Sequence, residues 1–128
     1  MKKTFLSSEW VLRVGVFGTF LGHGVFALQQ KAGWFEYFSA VGIQYDSAAT
    51  LLILIGCLDL LIAAFALLKP VKIVLVWAAF WGLVTALIRP IAGEPVWDFI
   101  ERTANWAAPL ALLLMHGLPK KPKDWFRL

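Results

Sequence analysis

The chain has 128 residues, of which 60% are hydrophobic, 15% aromatic and only 16% charged, against about 45–50% apolar and about 25% charged in an ordinary soluble domain. A domain this short exposes a large share of its surface, so the composition excludes a water-soluble fold, which would present wide apolar patches, and equally a disordered tail, a coiled coil or a disulfide scaffold. The net charge of +4 does not point to nucleic acid, because Lys2, Lys3, Lys120, Lys121, Lys123 and Arg127 sit at the two ends of the chain, in the pattern of membrane flanks.

The elements expected in chain order are four membrane-spanning helices, each measured against the about 20 residues that cross a hydrocarbon core. The first covers residues 10–28. It does not read as a removable signal peptide, since Glu9 and Arg13 interrupt its start and no small-residue cleavage site follows. The loop after it carries Trp34, Phe35, Tyr37, Phe38, Val41, Ile43 and Tyr45, too apolar for a solvated connection, and is expected to form a short interfacial helix with its aromatics at headgroup level. The second span covers 48–68. Lys69-Pro70 then turns the chain, and Pro70 suits the start of a helix that forms the third span, 71–88. Arg89-Pro90 is expected to end it, because proline disfavours a helical residue before it. The fourth span, 95–117, opens at Glu94-Pro95, with Glu94, Asp98 and Glu101 near the positive end of its dipole and Pro109 inside it. Residues 118–128 form a basic tail.

Lysine and arginine collect on the cytoplasmic side of membrane proteins. With both termini inside, that side holds Lys2, Lys3, Arg13, Lys69, Lys72, Lys120, Lys121, Lys123 and Arg127, and the outer side only Lys31, Arg89 and Arg102. Both termini are therefore expected in the cytoplasm.

Ionisable groups inside apolar spans are costly and mark sites. Two stand out, His23 and Asp59, about one helical turn apart in depth when counted from the outer ends of their helices. Thr19, Thr85 and Asn105 fall near the same layer. In the second span Gly56, Asp59, Ala63 and Ala66 make a strip of small residues around the acid; in the third, Ala78, Gly82, Thr85 and Arg89 make another; in the fourth, Asp98, Glu101, Asn105 and Ala108 a third. In the first, Gly15, Gly18 and Gly22 include the small-xxx-small spacing that lets helices approach in lipid. Arg89 lies at the outer interface, where Glu101 or Asp98 can pair with it across the mouth, and Asp98 with Arg102 is also a favourable i,i+4 pair. His23, Asp59, Thr19, Thr85, Asn105, Arg89 and Glu101 are thus the candidate pocket, and His23 and Asp59 are expected to interact directly or through one water. A metal site is not expected, since one histidine and one carboxylate fall short of the usual ligand count. Haem between His23 and His116 is not expected either, because they stand near opposite ends of the spans. Cys57 is the single cysteine, so no dithiol chemistry within one chain can occur.

The order of Arg13 early in span one, then His23-Gly24, then Phe35-Glu36-Tyr37-Phe38 and Val41-Gly42-Ile43, then Gly56-Cys57-Leu58-Asp59 in span two, resembles the DoxX-like small membrane proteins over about the first 70 residues. Spans three and four agree in number and hydropathy. Family members commonly carry glutamate where this chain has Asp59, and glycines where it has Ala63 and Ala64. The resemblance implies a four-helix protein of the bacterial inner membrane, with relatives that include a subunit of a thiosulfate:quinone oxidoreductase, and it singles out Arg13, His23, Gly24 and Asp59.

Three function classes remain open on the residues. The first is a membrane subunit that binds a quinone, lipid or redox partner between its helices, as an accessory to a quinone-linked oxidoreductase and without completing a reaction alone. The second is a proton-coupled transporter of a small solute, in a homo-oligomer. The third is a structural or assembly subunit of a membrane complex.

Overall fold

Apolar runs punctuated by proline, glycine and short polar turns fold here as helices throughout, with no strand among the described residues, in a computed structural model that describes residues 7–128. Lys2 and Lys3, counted in the charge bias, lie outside the described residues. Helix α1 spans Ser8–Leu28 and opens on Ser7, whose side chain accepts the Trp10 N–H at 3.3 Å, satisfying one of the donors that a first turn leaves open. A 3₁₀ turn, Ala32–Trp34, leads into α2, Phe35–Ala40, so the aromatic segment is helical as its composition predicts. Helices α3, Tyr45–Leu68, and α4, Lys72–Ile91, follow, then α5, Val96–Ile100, α6, Thr103–His116, and a final 3₁₀ turn, Pro122–Phe126. Helices α1, α3 and α4 are each long and apolar enough to cross a membrane, at about 30–36 Å by helical rise.

Two expectations about helix ends are corrected. Arg89-Pro90 does not stop α4, which continues to Ile91. A proline in the last turn removes one hydrogen bond, and the chain closes one residue later through Ala92 N–H to Ile88 O at 2.9 Å, with Gly93 taking the left-handed φ of +96° that glycine alone adopts freely. Residues 95–117 are not one helix either. The Arg102 N–H turns back to Phe99 O at 3.1 Å, while the guanidinium takes the Asp98 carbonyl at 2.9 Å; the side chain thereby occupies the acceptor that a continuing helix would use.

Packing follows the small residues. Helix α1 runs along α3 and touches α6, α6 runs along α4, and α3 and α4 meet only lightly. The strips on α3 (Gly56, Asp59, Ala63, Ala66) and α4 (Ala78, Gly82, Arg89) are buried as predicted. The strip on α1 is not: a methyl group at Gly15, Gly18 or Gly22 would meet nothing within 4 Å. The contact is made instead by Gly24, two residues beyond Gly22 and so about 200° further around the helix. A Cβ at Gly24 would stand 3.1 Å from Gly56 O, and one at Gly56 would stand 3.1 Å from Gly24 O, so the two backbones touch. At the second seam, a Cβ at Gly82 would fall 2.5 Å from Asn105 O.

The main apolar core, built on Val16, Phe20, Ile62, Ala66 and Val74 with Trp77 and Ala108 against it, fills the half of the molecule nearer the chain termini. That end is tied by polar groups. His116 Nε2 lies 2.5 Å from Glu9 Oε1, Arg13 Nη1 lies 3.7 Å from Glu9 Oε2, and Arg13 donates through Nε and Nη2 to Leu67 O at 3.1 and 2.6 Å. The tail docks on α4 through Lys72 N–H to Arg127 O at 3.1 Å.

Candidate functional site

The half of the molecule away from this main core holds a cavity of about 280 Å³ between α1, α3 and α4, covered by α2. His23 enters its wall from α1, Leu52, Ile55 and Asp59 from α3, and Trp81, Val84, Thr85, Ile88 and Arg89 from α4. Trp34, Tyr37, Phe38, Val41 and Ile43 close it from the aromatic segment. The spacing on α4 is one face at three and four residues, which is why a single helix supplies five lining residues.

The depth of His23 relative to Asp59 is set by the glycine crossing. Gly24 abuts Gly56, and Asp59 lies three residues, about 4.5 Å, further along α3. They share the wall one layer apart, but no hydrogen bond or ion pair joins them among the described residues. The His23 ring packs edge-on against Trp34, with centroids 5.8 Å apart. Asp59 is 1% exposed and its Oδ1 has no hydrogen-bond partner. Buried polar atoms are normally satisfied; this oxygen is not, and neither are the buried indole N–H groups of Trp77 and Trp106, but of the three residues only Asp59 lines the cavity.

Arg89 is also buried, at 7% exposure. It donates through Nε to Thr85 O at 3.3 Å and through Nη1 to the Tyr37 hydroxyl, over whose ring its guanidinium carbon lies 4.5 Å from the centroid. Tyr37 in turn donates to Glu94 Oε1 at 2.9 Å. Burial, together with the bond to Glu94, pushes the Tyr37 phenol above its ordinary value of 10.0, so it stays protonated and bridges a cation to a carboxylate. This Arg89–Tyr37–Glu94 chain pins α2 over the cavity.

Of the residues singled out by sequence, His23, Asp59, Thr85 and Arg89 come together and Thr19, Asn105 and Glu101 do not line the cavity. Asn105 sits where α6 presses its backbone on Gly82, on a seam that leaves α6 out of the wall. The expected pairing of Arg89 with Glu101 or Asp98 is corrected: Glu101 holds Arg102 at 2.8 Å, and the Asp98 contact to Arg102 is through the backbone carbonyl. Gly24 serves the α1–α3 contact, while Arg13 belongs to the far end, capping the last turn of α3 at Leu67 O. Sequence reasoning missed Tyr37, Glu94 and the Glu9–His116 contact. Tyr37 left a signal as a hydroxyl-bearing ring among the loop aromatics, and Glu94 only as an acid at a helix start. Among the described residues, no three His, Cys, Asp or Glu side chains gather as a metal site would.

No protein-family model matches this chain, and no curated protein or solved structure is detectably similar to it.

Proposed function

We propose that this protein is a small integral subunit of a bacterial-type inner membrane that binds a quinone between its helices and serves a membrane partner, another protein or a second copy, without completing a reaction alone. In this reading it crosses the bilayer four times, with α5 and α6 together as the fourth, broken span; about 20 residues suffice for a crossing, and irregular backbone at membrane depth is tolerated where neighbouring helices cover it. Both termini are cytoplasmic, in keeping with the lysine and arginine bias. The order of Arg13, His23-Gly24 and Gly56-Cys57-Leu58-Asp59, which resembles that of DoxX-like proteins, is in keeping with the same assignment.

The observation that carries the binding role is the buried Asp59 carboxyl, unpartnered at Oδ1 in the wall of a mostly apolar cavity. Ligand sites combine a mostly apolar lining with a few convergent polar groups, and Asp59, His23, Thr85 and Arg89 are such a set, with Trp34 and Trp81 as aromatic surfaces for a flat ring. The test is purification in native lipid followed by solvent extraction and titration with a short-chain ubiquinone. Copurifying quinone at near one per chain and saturable binding lost in Asp59→Leu are expected; absence of both overturns the reading. Proton-coupled transport is the second reading, favoured by an imidazole and a carboxyl sharing one wall, and solute uptake driven by a proton gradient in proteoliposomes would select it.

A further inference from the structure

Two groups in the cavity wall have complementary needs that the protein itself does not meet. The hydrogen bonds of Arg89 go to neutral acceptors, Thr85 O and the Tyr37 hydroxyl, and no carboxylate forms an ion pair with it among the described residues. Glu94 is reached only through Tyr37. The Arg89 Nη2 has no partner among the described residues, so the guanidinium retains donors for an acidic oxygen pair, the geometry in which arginine binds carboxylates best. At the other end, Asp59 Oδ1 lacks a donor. Ile55, Val84 and Trp81 line the same cavity, beside His23 and Thr85, and offer mainly apolar and aromatic contact.

We infer that the cavity takes an amphipathic monocarboxylate: its carboxylate sits against the Arg89 guanidinium, its apolar ring or short chain lies between Ile55, Val84 and Trp81, and a hydroxyl at its far end donates to Asp59. This rests on the reading of the cavity as a ligand site and adds to the quinone a second class of occupant, which would compete with it for the same walls. A second acid at the far end is disfavoured, because it would stand against Asp59 and like charges in a low-dielectric wall repel strongly. A phosphate is disfavoured as well, since one guanidinium in an apolar cavity does not offset two buried negative charges.

The test is equilibrium dialysis of 4-hydroxybenzoate against the full chain in lipid nanodiscs, with empty nanodiscs as the blank, beside a short-chain ubiquinone. Saturable binding of the acid is expected, with 4-hydroxybenzamide at least about tenfold weaker, because the amide removes the charge that Arg89 receives. Benzoate should bind more weakly than 4-hydroxybenzoate, and Asp59→Asn should narrow that preference. Arg89→Gln should weaken the acid at least about tenfold and leave the amide nearly unchanged. The comparison of acid with amide on the unaltered chain keeps the test decisive if the Arg89 variant does not fold. Equal binding of acid and amide overturns the inference, as does binding of the acid that Arg89→Gln does not alter. Binding of the quinone without the acid overturns the inference and leaves the ligand site standing; binding of neither overturns both.

Discussion

At the scale of single residues, Asp59 and Asp124 show how the same side chain behaves with and without partners. Asp59 is buried with an unpaired oxygen, and leaving a buried polar atom unsatisfied costs about 1–3 kcal/mol. The sequence alone points to a His23–Asp59 pair, whose loss would destabilise the fold; the geometry reverses the sign. Asp59→Leu should raise the stability of the ligand-free protein by about 1–3 kcal/mol, while Asp59→Asn, which keeps an unpaired polar group, should gain less. Thermal unfolding in detergent reads this, and a destabilised Asp59→Leu would refute it. Asp124, in the 3₁₀ turn of the tail, has the opposite situation. The Arg127 guanidinium bonded to it at 2.5 Å, and then the backbone N–H groups of Lys120 and Lys121, hold its carboxyl at about 2, below the ordinary 3.8. A depressed value means that the charged form is the one the folded turn favours. Its stabilisation is therefore complete above about pH 4 and is lost as the pH falls towards 2. Amide resonances of Lys120 and Lys121 in micelles should keep their shifts from neutral pH down to about 4 and then move, and movement near pH 6 would contradict the assignment.

Between elements, the deciding contacts are backbone against backbone. A methyl group at Gly82 would fall 2.5 Å from Asn105 O and 2.9 Å from the Asn105 carbonyl carbon, atoms of a helix backbone that cannot swing aside. Gly82→Ala is expected to cost about 1–3 kcal/mol through forced separation of α4 and α6. Gly18→Ala meets nothing within 4 Å and should stabilise by up to about 1 kcal/mol through helix propensity. The two substitutions are chemically identical, so a similar effect from both would show that the α4–α6 seam is not where these contacts put it. Helix α2 depends on a different kind of tie. Tyr37 bridges Arg89 and Glu94, so Tyr37→Phe frees α2 at the cost of two bonds and should raise hydrogen exchange across Phe35–Ala40. Unchanged protection would mean that apolar contacts alone hold the cover.

For the whole molecule, the charge distribution and the fold agree on one axis. Arg13, Lys69, Lys72, Lys120, Lys121, Lys123 and Arg127 belong to the end that carries the chain termini, and Lys31, Arg89 and Arg102 to the opposite one. Reporter fusions after Leu68 and Leu128 should report the cytoplasm and one after Ile43 the outer side. A periplasmic reading after Leu128 would overturn the orientation, and together with a cytoplasmic reading after Leu68 it would overturn the even number of crossings as well.

Composition and hydropathy determined that the chain is helical and membrane-sized, because a run of apolar residues about 20 long leaves the backbone few choices other than to satisfy its own hydrogen bonds in a helix. They also marked His23 and Asp59, since an ionisable group in an apolar run is conspicuous by its cost, and the strips on α3 and α4, since small side chains repeat at helical spacing. The face of α1 was not legible: Gly15, Gly18 and Gly22 have the better pattern, but Gly24 has the partner, and only the fit of Gly24 to Gly56 across the interface decides between two faces of an evenly apolar helix. Nor was the break at Arg102, which depends on where its guanidinium finds an acceptor. The Arg89–Tyr37–Glu94 chain joins residues more than 50 positions apart, and the unpaired state of Asp59 is a property of everything around it. Helix-scale order is written in short-range pattern, whereas a site is made by side chains that meet only after the helices have packed.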